Sequence, residues 1–174
     1  EGDCSRFNTF SECNQHNKCN WNSDNNDGTC DPIIYTAAFT YGYDNKTYFF
    51  SGGNVYKYND KQMKIEPDYP KPINEVFKGV PDNIDAVFTW AKDGITYFFQ
   101  GGQYWKYNDK KQEVESGYPR LTKNRWGDEF PETISAIFSL DISLGEKTGD
   151  SHPTYVIGSD GQSYYIDPVT DTVT

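Results

Sequence analysis

Three short apolar runs recur about 50 residues apart: Tyr35-Thr-Ala-Ala-Phe39, Ile84-Asp-Ala-Val-Phe88 and Ile134-Ser-Ala-Ile-Phe138. Each predicts an inner strand. The small alanines let several such strands approach one axis closely, and the terminal Phe fills the space between layers, a taper that suits radial repetition. Self-similarity at this period decides the fold before any single motif does.

A second pattern follows about a dozen residues after each run. Thr47-Tyr-Phe-Phe-Ser-Gly-Gly-Asn-Val-Tyr-Lys-Tyr-Asn-Asp60 matches Thr96-Tyr-Phe-Phe-Gln-Gly-Gly-Gln-Tyr-Trp-Lys-Tyr-Asn-Asp109 almost residue for residue. Two aromatic-rich strands joined through a glycine pair predict a hairpin, because glycine supplies the positive φ of a tight turn. Asp68-Tyr-Pro70 and Gly117-Tyr-Pro119 then lead into Ile73-Asn-Glu-Val-Phe77 and Leu121-Thr-Lys-Asn-Arg-Trp126. Each of these predicts one or two helical turns, with the proline at the entrance where its missing N–H costs nothing. Each repeat thus reads as three strands, an outer strand and a short helix, over about residues 33–81, 82–131 and 132–174. The third copy, Thr154-Tyr-Val-Ile-Gly-Ser-Asp-Gly-Gln-Ser-Tyr-Tyr-Ile-Asp167, keeps the hairpin but loses the Trp and most of the Phe. A polar insertion at 143–153 precedes it and reads as a variable loop of the kind that carries contacts.

Composition agrees with an aromatic core. Only 35% of residues are apolar, yet 17% are aromatic, with 14 Tyr, 11 Phe and 4 Trp. Disordered chains lack that aromatic area. A formal net charge of -10 disfavours nucleic acid and anionic membranes, both of which select basic patches, and favours cations and basic partners. No apolar run approaches the length of a membrane span, and no basic-then-apolar leader is seen, so Glu1 is expected to be a processed terminus.

The first 30 residues have a different character. Cys4, Cys13, Cys19 and Cys30 all lie there among Asn, Asp, Ser and Gly, a composition too polar to fold without cross-links. A disulfide-linked module over residues 1–30 and secretion into an oxidising compartment follow. The separations of 9, 6 and 11 residues do not give the close Cys pairs of a zinc site, and three pairings remain open.

The strand Asp-Ala-x-Phe, the segment Thr-Tyr-Phe-Phe-x-Gly-x-x-Tyr-Trp-x-Tyr and the following Tyr-Pro, most complete over residues 84–131, resemble the hemopexin-like repeat family of serum hemopexin, vitronectin and the C-terminal domains of matrix metalloproteinases. The resemblance covers about residues 31–174, with Cys30-Asp-Pro32 similar to the family's opening. It implies an all-β fold of propeller blades, four in the family. Three repeats are recognisable, and Thr174 comes before a fourth inner strand, so a second chain or another copy is expected to complete the ring. The family cysteine at the Cys30 position pairs with one at the end of the fourth blade. With no such partner in this sequence, Cys30 is expected to pair inside the N-terminal module. That module weakly resembles the PSI module of plexins, semaphorins and integrins through Cys19-Asn-Trp21, and more distantly the somatomedin B module.

The same resemblance implies a cation in the central channel, held by backbone carbonyls. Carried over position by position, these belong to Thr36 and Ala38, Asp85 and Val87, and Ser135 and Ile137, of which only Asp85 keeps the family's acidic side chain. Main-chain oxygens suit a hard ion such as calcium. The family also includes a haem carrier that uses paired histidines. Of the two histidines, His16 and His152, the latter is the better haem candidate, against the plainer reading of a solvated loop residue. Residues 24–28 read as a polar turn rather than a calcium loop, and Asp128-Glu129 as solvated carboxylates. No His-Glu-x-x-His or Gly-x-Ser-x-Gly motif is present, so no enzyme is expected. Asn45-Lys-Thr47 is an N-glycosylation acceptor at an expected turn. The function expected is secreted recognition of a protein or matrix component. A haem or metal-ion carrier, or a non-catalytic fragment of a larger secreted protein, are the alternatives.

Overall fold

The computed structural model describes residues 4–9, 12–13, 19–22, 28–90, 92–139, 153–167 and 170–173. The chain divides into two compact units, Glu1–Tyr35 and Thr36–Thr174. In the first, a short 3-10 helix, Cys4–Arg6, precedes the antiparallel pair β1 (Cys19–Asn22) and β2 (Thr29–Pro32). Disulfides join Cys4 to Cys19 and Cys13 to Cys30, so Cys30 does pair within the N-terminal module and no described cysteine is free. All four cysteines are buried and form the unit's core with Phe7 and Trp21 packed against them. Gly28 has φ +59 and lies so close to the Trp21 ring that a Cβ there would collide with it. Cross-links and two rings thus replace a conventional core.

The second unit contains three antiparallel sheets built on one plan. The first blade comprises β3 (Ala37–Tyr41), β4 (Lys46–Ser51), β5 (Asn54–Asn59) and β6 (Lys64–Ile65), with β7 (Lys71–Pro72) also on β5, and then α1 (Ile73–Val76). The second repeats it as β8 (Ala86–Trp90), β9 (Ile95–Gln100), β10 (Gln103–Asn108), β11 (Glu113–Val114), β12 (Arg120–Leu121) and α2 (Lys123–Trp126). The third has β13 (Ile134–Ser139), β14 (Thr154–Gly158) and β15 (Ser163–Ile166). The registers are equivalent: Phe49 faces Tyr56 in the first hairpin and Phe98 faces Trp105 in the second.

Repeated polar clamps explain why the sequence repeats. Asp44 accepts from the Lys46 N–H at 3.1 Å and from the Tyr48 hydroxyl at 2.8 Å. Asp93 does the same with the Ile95 N–H at 2.9 Å and the Tyr97 hydroxyl at 2.7 Å. Each carboxylate holds a turn and anchors a buried ring at once. The Asn of each Asn-Asp pair closes the next turn: Asn59 accepts the Lys61 and Gln62 N–H groups and donates to Glu66, as Asn108 does with Lys110, Lys111 and Glu115. A hydroxyl pair bridges the inner two strands of every blade, at Thr40 and Thr47, Thr89 and Thr96, and Ser139 and Thr154.

Two hydrophobic layers lie between the blades. Tyr41, Phe50, Val55 and Phe77 of the first blade meet Val87, Phe98, Trp105 and Tyr107 of the second. The opposite side of the second blade, with Phe88, Trp90, Phe99 and Trp126, meets Ile134, Ile137 and Val156 of the third. Phe77 is 1% exposed and its ring approaches those of Tyr48 and Phe98 at 5.2 and 5.3 Å, so it couples two blades.

Expectation and structure part company at the Tyr-Pro steps. Pro70 and Pro119 follow cis peptide bonds in the turns before β7 and β12, not at a helix start. The residues flanking the helices on their N-terminal side are Pro72 and Thr122, because the two intervening residues first pair with β5 or β10. The inner strands also begin later than the apolar runs: β3 and β8 start at Ala37 and Ala86.

Phe77→Ala is expected to cost about 3–5 kcal/mol of stability in urea unfolding, the usual cost of emptying a buried aromatic site; a loss below about 1 kcal/mol would contradict the coupling described. Between the first two blades, burial holds the Asp109 carboxyl above its ordinary value of 3.8, with the nearby Tyr41 and Thr96 hydroxyls acting in the opposite direction. A proton held more tightly in the folded state favours folding below that ordinary value, and this contribution is lost as pH rises through the raised one. Asp109→Asn should therefore raise the melting temperature near neutral pH and give no gain near about pH 3. An equal gain at both would show that titration of Asp109 is not its cause.

Candidate central-channel site

The three inner strands lie side by side, β3 next to β8 and β8 next to β13. At their starts the stretches 36–38, 85–87 and 135–137 line one cavity of about 140 Å³. All six residues singled out for a channel ion, Thr36, Ala38, Asp85, Val87, Ser135 and Ile137, are therefore brought together. Ala37, Ala86 and Ala136 occupy the middle of each stretch, where a larger side chain would hold the strands apart.

Two blades enter the cavity identically. The Thr36 N–H donates to the Phe50 carbonyl and the Asp85 N–H to the Phe99 carbonyl, each at 2.8 Å. The third differs, because the register of β13 on β14 shifts between Ile134 and Ala136 and leaves Ser135 as the irregular residue. The Thr36 hydroxyl donates to the Ile84 carbonyl at 3.1 Å and so ties the first blade to the second beside the cavity. Asp85 turns one carboxylate oxygen to the Gly101 N–H at 2.7 Å, which commits it to the β9–β10 turn.

The donor set favours a hard cation held by oxygen. Among the described residues no group of three or more His, Cys, Asp or Glu is placed to hold a metal. The stretches lining the cavity instead include the hydroxyl residues Thr36 and Ser135 and the carboxylate of Asp85, one oxygen of which already holds the Gly101 N–H. At roughly 30 Å³ per water, the volume accommodates an ion with a few waters, a fit to calcium-like coordination.

Other expected sites separate from this one. Asn45 sits in the exposed turn between β3 and β4 with φ 55. His16, His152, residues 24–27 and the insertion up to 152 lie outside the described residues. Sequence reasoning did not single out Arg125, which lines a larger cavity of about 730 Å³ beside β12 and α2. Its signal lay in the comparison of 117–126 with 68–77, where charge changes sharply while the framework is kept.

Comparison with known proteins places these repeats. The family model described as Hemopexin matches residues 36–82 and 84–128. Vitronectin of Oryctolagus cuniculus is 45% identical over 51 residues, 29% of this chain and 10% of that protein. Matrix metalloproteinase-20 of Homo sapiens is 49% identical over 41 residues, 24% of this chain and 8% of that protein. The chain thus matches about a tenth of the length of these relatives. Among solved structures, the hemopexin fold protein CP4 from cow pea superposes with a TM-score of 0.56 at 18% identity, covering 86% of this chain and 75% of that one. The 2S albumin seed protein from Dolichos gives 0.56 at 21% identity over 79% of this chain and 63% of that one.

Asp85→Ala removes the acceptor of the Gly101 N–H and is expected to cost about 1 kcal/mol in urea unfolding, whereas Asp85→Asn retains an acceptor oxygen and should cost less. Equal losses in the two variants would place the role of Asp85 elsewhere than at this turn.

Proposed function

The chain belongs to the Hemopexin family, and from that premise we propose that it is an extracellular, non-enzymatic binding module that carries a hard cation in its channel and recognises a protein or matrix component. The convergence of 36–38, 85–87 and 135–137 on one cavity carries the cation part of this reading. An ion there would engage all three blades at once and stabilise their relative placement, since a ligand that binds only the folded state adds stability by mass action.

Two disulfides in the N-terminal unit support an oxidising, extracellular setting. Similarity to vitronectin and to a metalloproteinase supports recognition of proteins or matrix by the blades rather than catalysis. The third blade's outer face adds support, because Phe138 is 43% and Ile157 36% exposed there, with Phe138 stacked on Tyr155 at 5.6 Å. A second chain or another copy packed on that face belongs to the same reading.

Calcium at about one hundred times its dissociation constant should stabilise the folded protein by about 2.7 kcal/mol, read as a raised melting temperature. No rise with calcium, magnesium or sodium would overturn the cation part. Surface-immobilised matrix proteins should retain the chain, and Phe138→Asp should weaken that retention without lowering the melting temperature. Retention unchanged by Phe138→Asp would remove the third blade's face from the account.

A further inference from the structure

The two complete blades share a framework but not a charge. Segment 68–77 carries Asp68, Lys71 and Glu75, net -1, whereas the equivalent 117–126 carries Arg120, Lys123 and Arg125, net +3, in a chain of net charge -10. Gly117 replaces Asp68, Lys123 replaces Asn74, Asn124 replaces Glu75 and Arg125 replaces Val76. Every one of these differences makes the second blade more positive.

The structural consequence is a pair of guanidinium groups without a carboxylate. In the first blade Lys71 pairs with Asp68 at 2.8 Å. In the second, Arg120 donates to the Gly117 carbonyl at 3.3 Å and rests over the Tyr118 ring at 4.7 Å. Arg125 is half-buried against Trp90, Tyr97 and Trp126, with its guanidinium carbon 4.9 to 5.1 Å from each ring centre. It donates to the Tyr97 hydroxyl at 3.2 Å, and that hydroxyl in turn donates to Asp93. No carboxylate among the described residues forms an ion pair with either arginine. Ring faces offset part of the cost of withdrawing a cation from water, but they supply no direct counter-ion. Arg120, Asn124 and Arg125 line the cavity of about 730 Å³, with Tyr104 and Tyr118 beside them.

We propose that this cavity on the second blade binds an oxyanion, a carboxylate or sulfate, with Arg120 and Arg125 as its counter-ions and Asn124 as a further donor. Planar guanidinium forks match such groups by paired hydrogen bonds. The cavity exceeds the size of one oxyanion, so it also accommodates a body that carries the group. This site is separate from the channel, and failure of calcium binding would leave it intact.

Isothermal titration of the purified chain at low ionic strength tests it, using sodium sulfate, sodium glucuronate and glucose. One anion should bind per chain and glucose should give no heat; tighter glucuronate than sulfate assigns a carried oxyanion, and equal affinities a free one. Arg120→Gln, and Asn124→Glu, which restores the first blade's carboxylate, should each weaken binding at least about tenfold. Both positions are exposed, so circular dichroism should confirm an unchanged fold. Failure of both anions to bind, binding of glucose equal to that of glucuronate, or undiminished affinity in both variants would overturn the proposal.

Discussion

The second blade is buried on both faces, and the arrangement of its neighbours depends on that burial. Val87, Phe98, Trp105 and Tyr107 point one way, and Ala86, Phe88, Trp90, Phe99 and Tyr104 the other. A strand with two buried faces cannot alternate apolar with polar, which is why Tyr97, Phe98 and Phe99 stand side by side and are all buried in the strand Ile95–Gln100. Each face makes one half of a hydrophobic layer, so neither layer exists without this blade. The small residues at the starts of the inner strands follow from the same geometry, since large blades can converge on one axis only where their side chains taper.

That constraint also orders the polar chemistry. With ring faces filling the layers, the carboxylates of Asp44 and Asp93 act from the turns, where they anchor Tyr48 and Tyr97. Burial raises both tyrosine hydroxyls well above their ordinary range, so they remain donors at any physiological pH. Arg125 is the exception, a cation admitted into an aromatic layer where the first blade keeps Val76. The repeat thus fixes the frame, and departures from it mark the positions that give the blades separate roles.

Much of this was legible in the chain itself. The blade count and the hairpins emerge from repetition, because repeats copy pattern and register together, whereas the channel positions came only through the family resemblance. Strand starts were less legible: Ile84 and Asp85 belong to the apolar run, yet Asp85 is drawn into the β9–β10 turn by the Gly101 N–H, and the strand begins at Ala86. The Tyr-Pro steps misled for a related reason. Proline at a helix entrance is a local preference, whereas pairing of Lys71–Pro72 and Arg120–Leu121 with β5 and β10 is a tertiary one, and the tertiary contact moved the helices onward. The arginine pocket was overlooked because the repeat was read for what its copies share, whereas the pocket lies in the charge differences between 117–126 and 68–77.

The central proposal is that the cavity on which three blades converge holds a cation. A crystal of this chain grown with calcium, measured at a wavelength where calcium scatters anomalously, tests it directly. The account predicts an anomalous peak within the cavity formed by 36–38, 85–87 and 135–137, surrounded by main-chain oxygens. An empty channel at saturating calcium, or a peak held only by surface carboxylates, would contradict it.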